Sequence, residues 1–330
     1  MKKIIFASLF LFILCGCSTQ KYSTEYLDLF DTYSTVTIYT NNSEEFNEIS
    51  NDLHKELLRL NRLFDIYNNY DNINNIKTIN DNSGIKAVKA DREIIELIKA
   101  GKEAYNKTEG TVNIAMGPVL KIWHRYRENA LDNGISAIPD TAELEDANKH
   151  TDINNIIVDE ENSTVFITDE SASIDVGAIA KGYAADYAAE FLRSRGVSAA
   201  LINLGGNVIA LNDNSKKSWK TGIISPDNNG EYVDTADISN QSAVSSGNYQ
   251  RYYEYEGKKY HHIIDGSTLM PAGSNRSVTV IADSSLEGDI FSTALFILPY
   301  EKGKRLAEEN KIKALWVTAD DKEYKTADFN

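Results

Sequence analysis

Cysteine is almost absent from this 330-residue chain, which has only two, Cys15 and Cys17. Both lie near the N-terminus, in a segment whose pattern indicates processing, so the rest of the chain carries no thiol. Without thiols, the folded part can form no disulfide, no cysteine-ligated metal site and no cysteine nucleophile. Enzyme classes that depend on a thiol are therefore excluded.

The chain also lacks an excess of positive charge. It has 49 acidic residues against 34 lysines and arginines, which gives a formal net charge of −15 at pH 7. Binding to nucleic acid depends on a basic surface that neutralises phosphates, so this balance argues against a nucleic-acid partner. A phosphorylated small molecule can still bind if positive charge or a metal ion is concentrated locally.

Several phosphate-binding and hydrolase motifs are missing as well. The Walker A motif requires Gly-Lys followed by Ser or Thr, whereas Lys181 precedes Gly182 here. The segment Gly205-Gly206-Asn207 does not supply the glycine spacing of a dinucleotide-binding fingerprint. The chain contains neither Gly-x-Ser-x-Gly nor His-Glu-x-x-His, so hydrolases of those families are not supported.

The apolar run at residues 4–14 is too short to span a bilayer. It follows Lys2 and Lys3, an arrangement typical of a secretory signal. The run ends in Leu14-Cys15-Gly16-Cys17, which resembles the lipobox of bacterial lipoproteins. That resemblance implies cleavage before Cys17 and lipidation of its thiol. An ordinary signal peptide whose cysteines are accidental is the alternative.

Three segments follow from this interpretation. Residues 1–16 are predicted to be a lipoprotein signal peptide, residues 17–29 a lipidated cysteine with a polar tether, and residues 30–330 one folded domain. We expect an extracytoplasmic protein that is anchored to the bacterial cell membrane by lipid.

Hydrophobic periodicity predicts strands and helices in irregular alternation. The predicted strands are residues 36–40, 155–158, 164–167, 199–203, 208–211, 219–224, 239–245, 249–255, 258–264, 278–282 and 313–318. The predicted helices are residues 44–64, a helix capped by Asp91, a short one capped by Asp140, one from Gly177 to about Arg195, and residues 286–298 and 301–310. Without a regular βαβ repeat, this pattern predicts an α/β (mixed α+β) fold, a single compact domain with mixed or antiparallel sheets flanked by helices.

Residues 173–186 combine a short apolar run, one carboxylate and a helix start made of small residues. Asp175 lies in the apolar run, and Lys181 falls in the first helical turn. The free N–H groups of a helix start attract anions, and small side chains let a ligand approach the backbone closely. Tight packing of the same small residues on a sheet explains the pattern equally well, so both interpretations stay open.

A second candidate lies on the predicted helix at 286–298, where Asp289 and Thr293 are four residues apart. Their oxygens therefore project from one face. A carboxylate with a hydroxyl is a sparse set of hard ligands, which Mg²⁺ tolerates because it retains water and shares substrate phosphates. A helix-terminal acid that is favoured by the helix dipole is the alternative.

Two adjacent histidines, His261 and His262, lie on a predicted strand, so their side chains point to opposite faces. We therefore expect at most one of them to face a site.

Taken in order, several segments resemble the ApbE family, the Mg²⁺-dependent FAD:protein FMN transferases. The matching segments are residues 113–123, 175–183, 202–207, 245–247, 262–265 and 278–294. Most specific are the Asp-x-Gly-x-x-Ala-Lys-Gly and Leu-Gly-Gly-Asn segments, and the resemblance runs from about residue 30 to the C-terminus.

The resemblance implies a reaction in which FMN is transferred from FAD to a threonine or serine hydroxyl of a target protein, with release of AMP. Mg²⁺ and FAD are the implied cofactor and substrate. Implied acceptors are subunits of membrane redox pumps or extracytoplasmic electron carriers.

Carried over to this sequence, the resemblance implies roles for a defined set of residues. The implied contacts to FAD are Tyr33, Asn113, Ile114, Ala115, Asp175, Lys181 and Ile263. The implied Mg²⁺ ligands are the carbonyl of Ala178 and the side chains of Asp289 and Thr293. His262 is the implied general base, and a histidine suits that role because its ordinary pKa of ~6.5 lies near neutral pH.

The chain departs from the family pattern at several positions. Tyr33-Ser34-Thr35 stands where the family has Met-Gly-Thr, Val112–Ala115 replaces Phe-Asp-Pro-Thr, and Gly266 replaces a proline. These departures leave room for an Mg²⁺-dependent FAD pyrophosphatase that yields FMN and AMP. A lipid-anchored, non-catalytic flavin-binding protein is a further alternative.

Overall fold

Helices and strands alternate irregularly along the computed structural model, which describes residues 19–212, 218–227 and 229–329. The helices are α1 (Ser43–Phe64), α2 (Ile76–Asn80), α3 (Arg92–Lys107), α4 (Gly117–Asn133), α5 (Thr141–Asn148), α6 (Ala180–Ser194), α7 (Ser285–Ile297) and α8 (Tyr300–Glu309). The strands are β1 (Gln20–Leu29), β2 (Thr32–Thr40), β3 (Val88–Lys89), β4 (Ile156–Asp159), β5 (Thr164–Ile167), β6 (Ala200–Leu204), β7 (Asn207–Leu211), β8 (Trp219–Ile224), β9 (Tyr232–Ile238), β10 (Ser242–Gly247), β11 (Tyr252–Tyr255), β12 (Lys258–His261), β13 (Ile264–Asp265), β14 (Met270–Pro271), β15 (Asn275–Ala282), β16 (Lys313–Thr318) and β17 (Glu323–Lys325).

The main sheet has eight strands in the order β1-β2-β6-β7-β10-β15-β16-β17, and each neighbouring pair is antiparallel. Smaller antiparallel sheets are formed by β3-β5-β4, β8-β9, β11-β12 and β13-β14. The predicted fold class, mixed α+β with antiparallel sheets flanked by helices, is therefore confirmed.

Strand β1 corrects the prediction that residues 17–29 form a polar tether. Residues 20–29 instead pair with β2, from Gln20 opposite Thr40 to Leu29 opposite Thr32. The polar residues of β1 lie on the outer side of an edge strand, whereas Tyr26 and Leu29 are buried against α1 and the rest of the core. An edge strand with one solvent-exposed face contains few apolar residues, so the sequence of β1 resembles that of a polar tether.

Several other boundaries differ from the predictions. The strand predicted at 258–264 ends at His261, so His262 lies in the segment between β12 and β13 and not on a strand.

Two further differences have local reasons. The strand predicted at 239–245 is the turn between β9 and β10 together with the first part of β10, because Asn240 adopts a left-handed φ of 51°. The helix predicted to open on Gly177 begins at Ala180, because the carboxylate of Asp175 accepts a hydrogen bond from the N–H of Gly177 and holds a turn there.

The main sheet is covered on both faces, and the side chains of β16 alternate between them. Ala314 and Trp316 belong to the large core that α1, α6 and α7 share with the sheet. Leu315 and Val317 belong to a second core, which β8 and β9 cover. A third, smaller apolar cluster joins α4 to β11 and β13.

Helices α6 and α7 cap each other. The carboxylate of Asp186 on α6 accepts hydrogen bonds from the N–H groups of Ser285 (2.7 Å) and Leu286 (2.9 Å), which open α7. In return, the carboxylate of Asp289 on α7 accepts a hydrogen bond from the N–H of Gly182 in the first turn of α6. A Cβ at Gly182 would lie 2.6–2.8 Å from atoms of α7, so only glycine permits this approach.

Within the described ranges, no helix is both long enough and apolar enough to cross a membrane. The predicted signal peptide and Cys17 lie outside the described residues.

Candidate active site

A cavity of about 420 Å³ opens where the start of α6 meets α4, α7, the β1–β2 turn and the segment that joins β12 to β13. That volume lies in the range of small-molecule binding sites. Of the residues predicted to act, the following line the cavity: Asn113, Asp175, Ala178, Lys181, His262, Ile263, Asp289 and Thr293. Residues separated by up to 180 positions in the chain are thus brought to one place.

Three predicted residues do not line the cavity. The side chain of Tyr33 lies on the surface and is 50% exposed, whereas Ile114 and Ala115 are buried in the main core. The carbonyl of Ile114 nevertheless accepts a hydrogen bond of 2.8 Å from the N–H of Asp175, so this segment positions a residue of the cavity wall. Direct contacts of Tyr33, Ile114 and Ala115 with a ligand stay predictions.

Asp289 places a carboxylate at the start of α6, where it is 3% exposed. One carboxylate oxygen accepts a hydrogen bond of 2.8 Å from the N–H of Gly182, and the other lies 3.7 Å from Nζ of Lys181. Burial raises the pKa of Asp289, and the nearby Lys181 and Gly182 N–H oppose that rise only in part. A cation beside Asp289 would therefore compensate a charge that the protein compensates incompletely.

The oxygen donors at this end of the cavity fit Mg²⁺. Thr293 lies one helical turn after Asp289, with its hydroxyl 3.4 Å from that of Ser246, and Ala178 lines the same cavity. In the part of the chain that the structure describes, no group of three or more His, Cys, Asp or Glu residues could hold a metal ion. A cation here would need water and ligand oxygens to complete its shell, which is how Mg²⁺ binds at phosphate sites.

Asp175 contributes a second, half-buried carboxylate. One oxygen accepts a hydrogen bond of 2.8 Å from the N–H of Gly177. Burial raises the pKa of Asp175, and the N–H of Gly177 and the positive charge of Arg127 lower it by a smaller amount. The carboxylate retains acceptor capacity toward a ligand in the cavity.

His261 and His262 differ in what their ring nitrogens contact. Nε2 of His261 lies 2.8 Å from the carbonyl of Ala272, and its Nδ1 accepts a hydrogen bond from the N–H of Ile263, so this ring is engaged within the protein. Nδ1 of His262 is buried and has no partner in the described part of the chain.

The environment of His262 keeps its ring neutral. Burial, followed by the positive charge of Arg251, lowers the pKa of His262 to about 3. The free protein therefore presents an unprotonated imidazole at neutral pH, which can accept a proton from a hydroxyl group in the cavity.

Sequence reasoning missed a further group in the cavity wall, made up of Tyr67, His124, Arg127 and Arg251. The ring of Tyr67 stacks on that of His124, with centroids 4.6 Å apart. Arg251 donates hydrogen bonds to the carbonyls of Phe30 and Asp31 at the β1–β2 turn. The spacing of His124 and Arg127 on one helix was the available signal, because residues three apart share a face.

The comparison with known families agrees with the resemblance. The sequence profile of the ApbE family matches residues 30–316. A FAD:protein FMN transferase from Klebsiella pneumoniae is 37% identical over 230 residues, which cover 69% of this chain and 69% of that protein. A FAD:protein FMN transferase from Treponema pallidum is 31% identical over 247 residues, covering 70% of this chain and 67% of that protein.

Solved structures give the same result for the fold. The ApbE protein from Thermotoga maritima superposes with a TM-score of 0.83 at 27% identity, covering 94% of this chain and 98% of that one. The flavin transferase ApbE from Vibrio cholerae superposes with a TM-score of 0.78 at 21% identity, covering the same shares of the two chains.

The pKa of His262 predicts a pH effect on stability. Between its unfolded pKa of 6.5 and its folded pKa of about 3, the unfolded chain binds a proton that the folded chain does not. Acidification from pH 7 to 5 should therefore lower the free energy of unfolding of the wild type by about 1 to 2 kcal/mol more than that of His262→Gln. Urea unfolding of both proteins at the two pH values measures the difference, and equal losses would contradict the assignment.

Proposed function

The chain belongs to the ApbE family, and from that premise we propose that it catalyses the transfer of FMN from FAD to a hydroxyl group of an acceptor protein. It is a transferase, and FAD is its substrate. The observation that best supports this function is one cavity that combines the buried Asp289, with Lys181 beside it at a helix start, and the neutral ring of His262. The first arrangement suits a diphosphate, and the second suits activation of a hydroxyl.

In the proposed reaction, the acceptor hydroxyl oxygen attacks the phosphorus of the FMN half of FAD. A new P–O bond forms, the bond from that phosphorus to the bridging oxygen breaks, and AMP leaves with the bridging oxygen. His262 accepts the hydroxyl proton at Nδ1, which has no hydrogen-bond partner among the described residues. A threonine or serine hydroxyl is a weak nucleophile, so a base within hydrogen-bond reach is what this step requires.

We propose that Asp289, Thr293 and the carbonyl of Ala178 hold Mg²⁺. When bound, the ion supplies positive charge that stabilises the negative charge developing on the diphosphate oxygens. Lys181 adds a second positive charge at the start of α6, where free N–H groups also favour anions.

The remaining predicted residues are proposed to hold the nucleotide. Asp175 and Ile263 contribute an acceptor and an apolar surface to the cavity. The side chain of Asn113 already donates to the carbonyl of Thr151 and accepts from the N–H of Ala115, so the segment from Asn113 to Ala115 would contact a ligand mainly through its backbone. A contact from Tyr33 would require its exposed ring to reach the cavity.

We further propose that the protein is anchored by lipid at Cys17 on the extracytoplasmic side of the membrane. The charged start, the apolar run and the lipobox-like segment that ends at Cys17 support this location. The acceptor would then be exposed on the same side, as a subunit of a membrane redox pump or an extracytoplasmic electron carrier.

Transfer can be measured by incubating the protein with FAD, Mg²⁺ and a threonine-containing acceptor domain. We expect flavin fluorescence to remain on the acceptor band after denaturing electrophoresis. His262→Ala and Asp289→Ala should lose at least about 99% of that signal, since each removes a group that acts in the reaction. His54→Ala and Asp283→Ala are matched controls, because neither residue lines the cavity.

The same assay separates the alternatives. If free FMN and AMP form without a labelled acceptor, the protein hydrolyses FAD and does not transfer FMN. If FAD is bound but stays intact, the protein binds the flavin without catalysis.

A lipid anchor at Cys17 predicts that the protein is found with cell membranes and carries a fatty acid. Full-length protein expressed in a bacterium should sediment with membranes and incorporate labelled fatty acid. Cys17→Ser should abolish the label, because the thiol is the proposed attachment site, whereas Cys15→Ser should retain it. Unchanged labelling of Cys17→Ser would refute the anchor.

A further inference from the structure

Arg127 contributes a positive charge to the cavity wall. It lies on α4, is half-buried and lines the cavity. Across the described residues its side chain forms no ion pair, and its one hydrogen bond is to His124. A partly buried cation without a carboxylate partner is costly, so a bound anion would compensate it.

His124 fixes the direction of the Arg127 side chain. A guanidinium nitrogen of Arg127 lies 2.6 Å from Nδ1 of His124. Because a guanidinium can only donate, Nδ1 must accept, so the neutral ring carries its proton on Nε2. Nε2 lies 3.0 Å from a carboxylate oxygen of Glu128 and donates to it. The stacked ring of Tyr67 holds the imidazole from one side.

The surroundings of Arg127 favour one half of FAD. Lys181 lies beside Asp289, at the end of the cavity where Mg²⁺ is proposed to bind. Arg127 instead shares its electrostatic environment with Tyr67, Asp175 and Arg251. The ring of Tyr67 offers a flat surface to an isoalloxazine, and the phosphate joined to the flavin must lie near His262 for the transfer to occur.

Resting on the proposed function, we infer that Arg127 binds the phosphate of the FMN half of FAD, and that His124 and Glu128 are positioning residues for it. A guanidinium suits this task because its donors match two phosphate oxygens at once.

Binding of separate probes to the full folded protein, without Mg²⁺ and at pH 7.5, tests the inference. Arg127→Gln should raise the Kd of FMN roughly tenfold to hundredfold, as expected for loss of charged hydrogen bonds. The Kd values of riboflavin, which lacks the phosphate, and of AMP, which carries only the phosphate of the adenine half, should change less than about twofold. Arg127→Lys should raise the Kd of FMN by an intermediate factor. Arg125→Gln is the matched control, because Arg125 lies on the same helix, is exposed and pairs with Glu143.

Two results would overturn the inference. One is an unchanged Kd of FMN in Arg127→Gln. The other is an equal loss of affinity for riboflavin or for AMP, which would place Arg127 at the flavin ring or at the adenine half.

The positioning role of His124 has its own readout. Burial and the charge of Arg127 lower the pKa of His124, and the groups that face it are Arg127, Glu128, Tyr67 and Asp175. Protonation at Nδ1 below pH 6.5 would replace an acceptor with a donor that opposes the guanidinium. Wild-type affinity for FAD should therefore fall on acidification, whereas His124→Phe, which retains the stacked ring, should bind weakly with a flatter pH profile. Identical profiles would refute the role.

Failure of this inference is distinguishable from failure of the proposed function. A wild type that labels an acceptor while Arg127→Gln binds FMN normally refutes only the role of Arg127. A wild type that labels no acceptor refutes the transfer, whereas a selective loss of FMN binding would still support the phosphate contact.

Discussion

The buried carboxylate of Asp289 is the constraint on which the site depends. It lies at the start of α6, and this position is possible because Gly182 has no side chain to separate α6 from α7. The carboxylate of Asp186 on α6 likewise accepts hydrogen bonds from N–H groups at the start of α7. Two hydrogen-bonded carboxylates therefore fix the two helices relative to each other. One charge thereby serves both as a structural cap and as the strongest candidate ligand for a cation.

Positive charge in the cavity is divided between two places. Lys181 lies beside Asp289, while Arg127 and Arg251 belong to another part of the wall, and His262 experiences all three. Together with burial, these charges hold the histidine neutral, so it is ready to accept a proton before a substrate arrives. An anionic ligand would occupy the positive regions and so make the imidazole more basic when the base is needed.

Local pattern identified candidate parts of this site that lie close together in sequence, but it left packing and helix-dipole interpretations open, and only the family resemblance joined the candidates into one site. The segment around Asp175 and the four-residue spacing of Asp289 and Thr293 were readable because a strand end, a helix start and a helix face have sequence signatures. The group of Tyr67, His124 and Arg127 was not, because Tyr67 lies far from α4 in sequence and meets His124 only in the folded chain. Strand β1 was missed because an edge strand with one wet face has the composition of a tether.

Calorimetric titration of Mg²⁺ into the protein saturated with ADP shows whether Asp289 binds the ion, since ADP supplies a diphosphate and no flavin to transfer. The wild type should bind the ion. Asp289→Asn retains the shape of the side chain and an oxygen acceptor for the N–H of Gly182, but it should bind Mg²⁺ about tenfold to hundredfold more weakly. Asp283→Asn should match the wild type, because Asp283 does not line the cavity. Equal Mg²⁺ affinity in the wild type and Asp289→Asn would show that Asp289 is not a ligand of the ion.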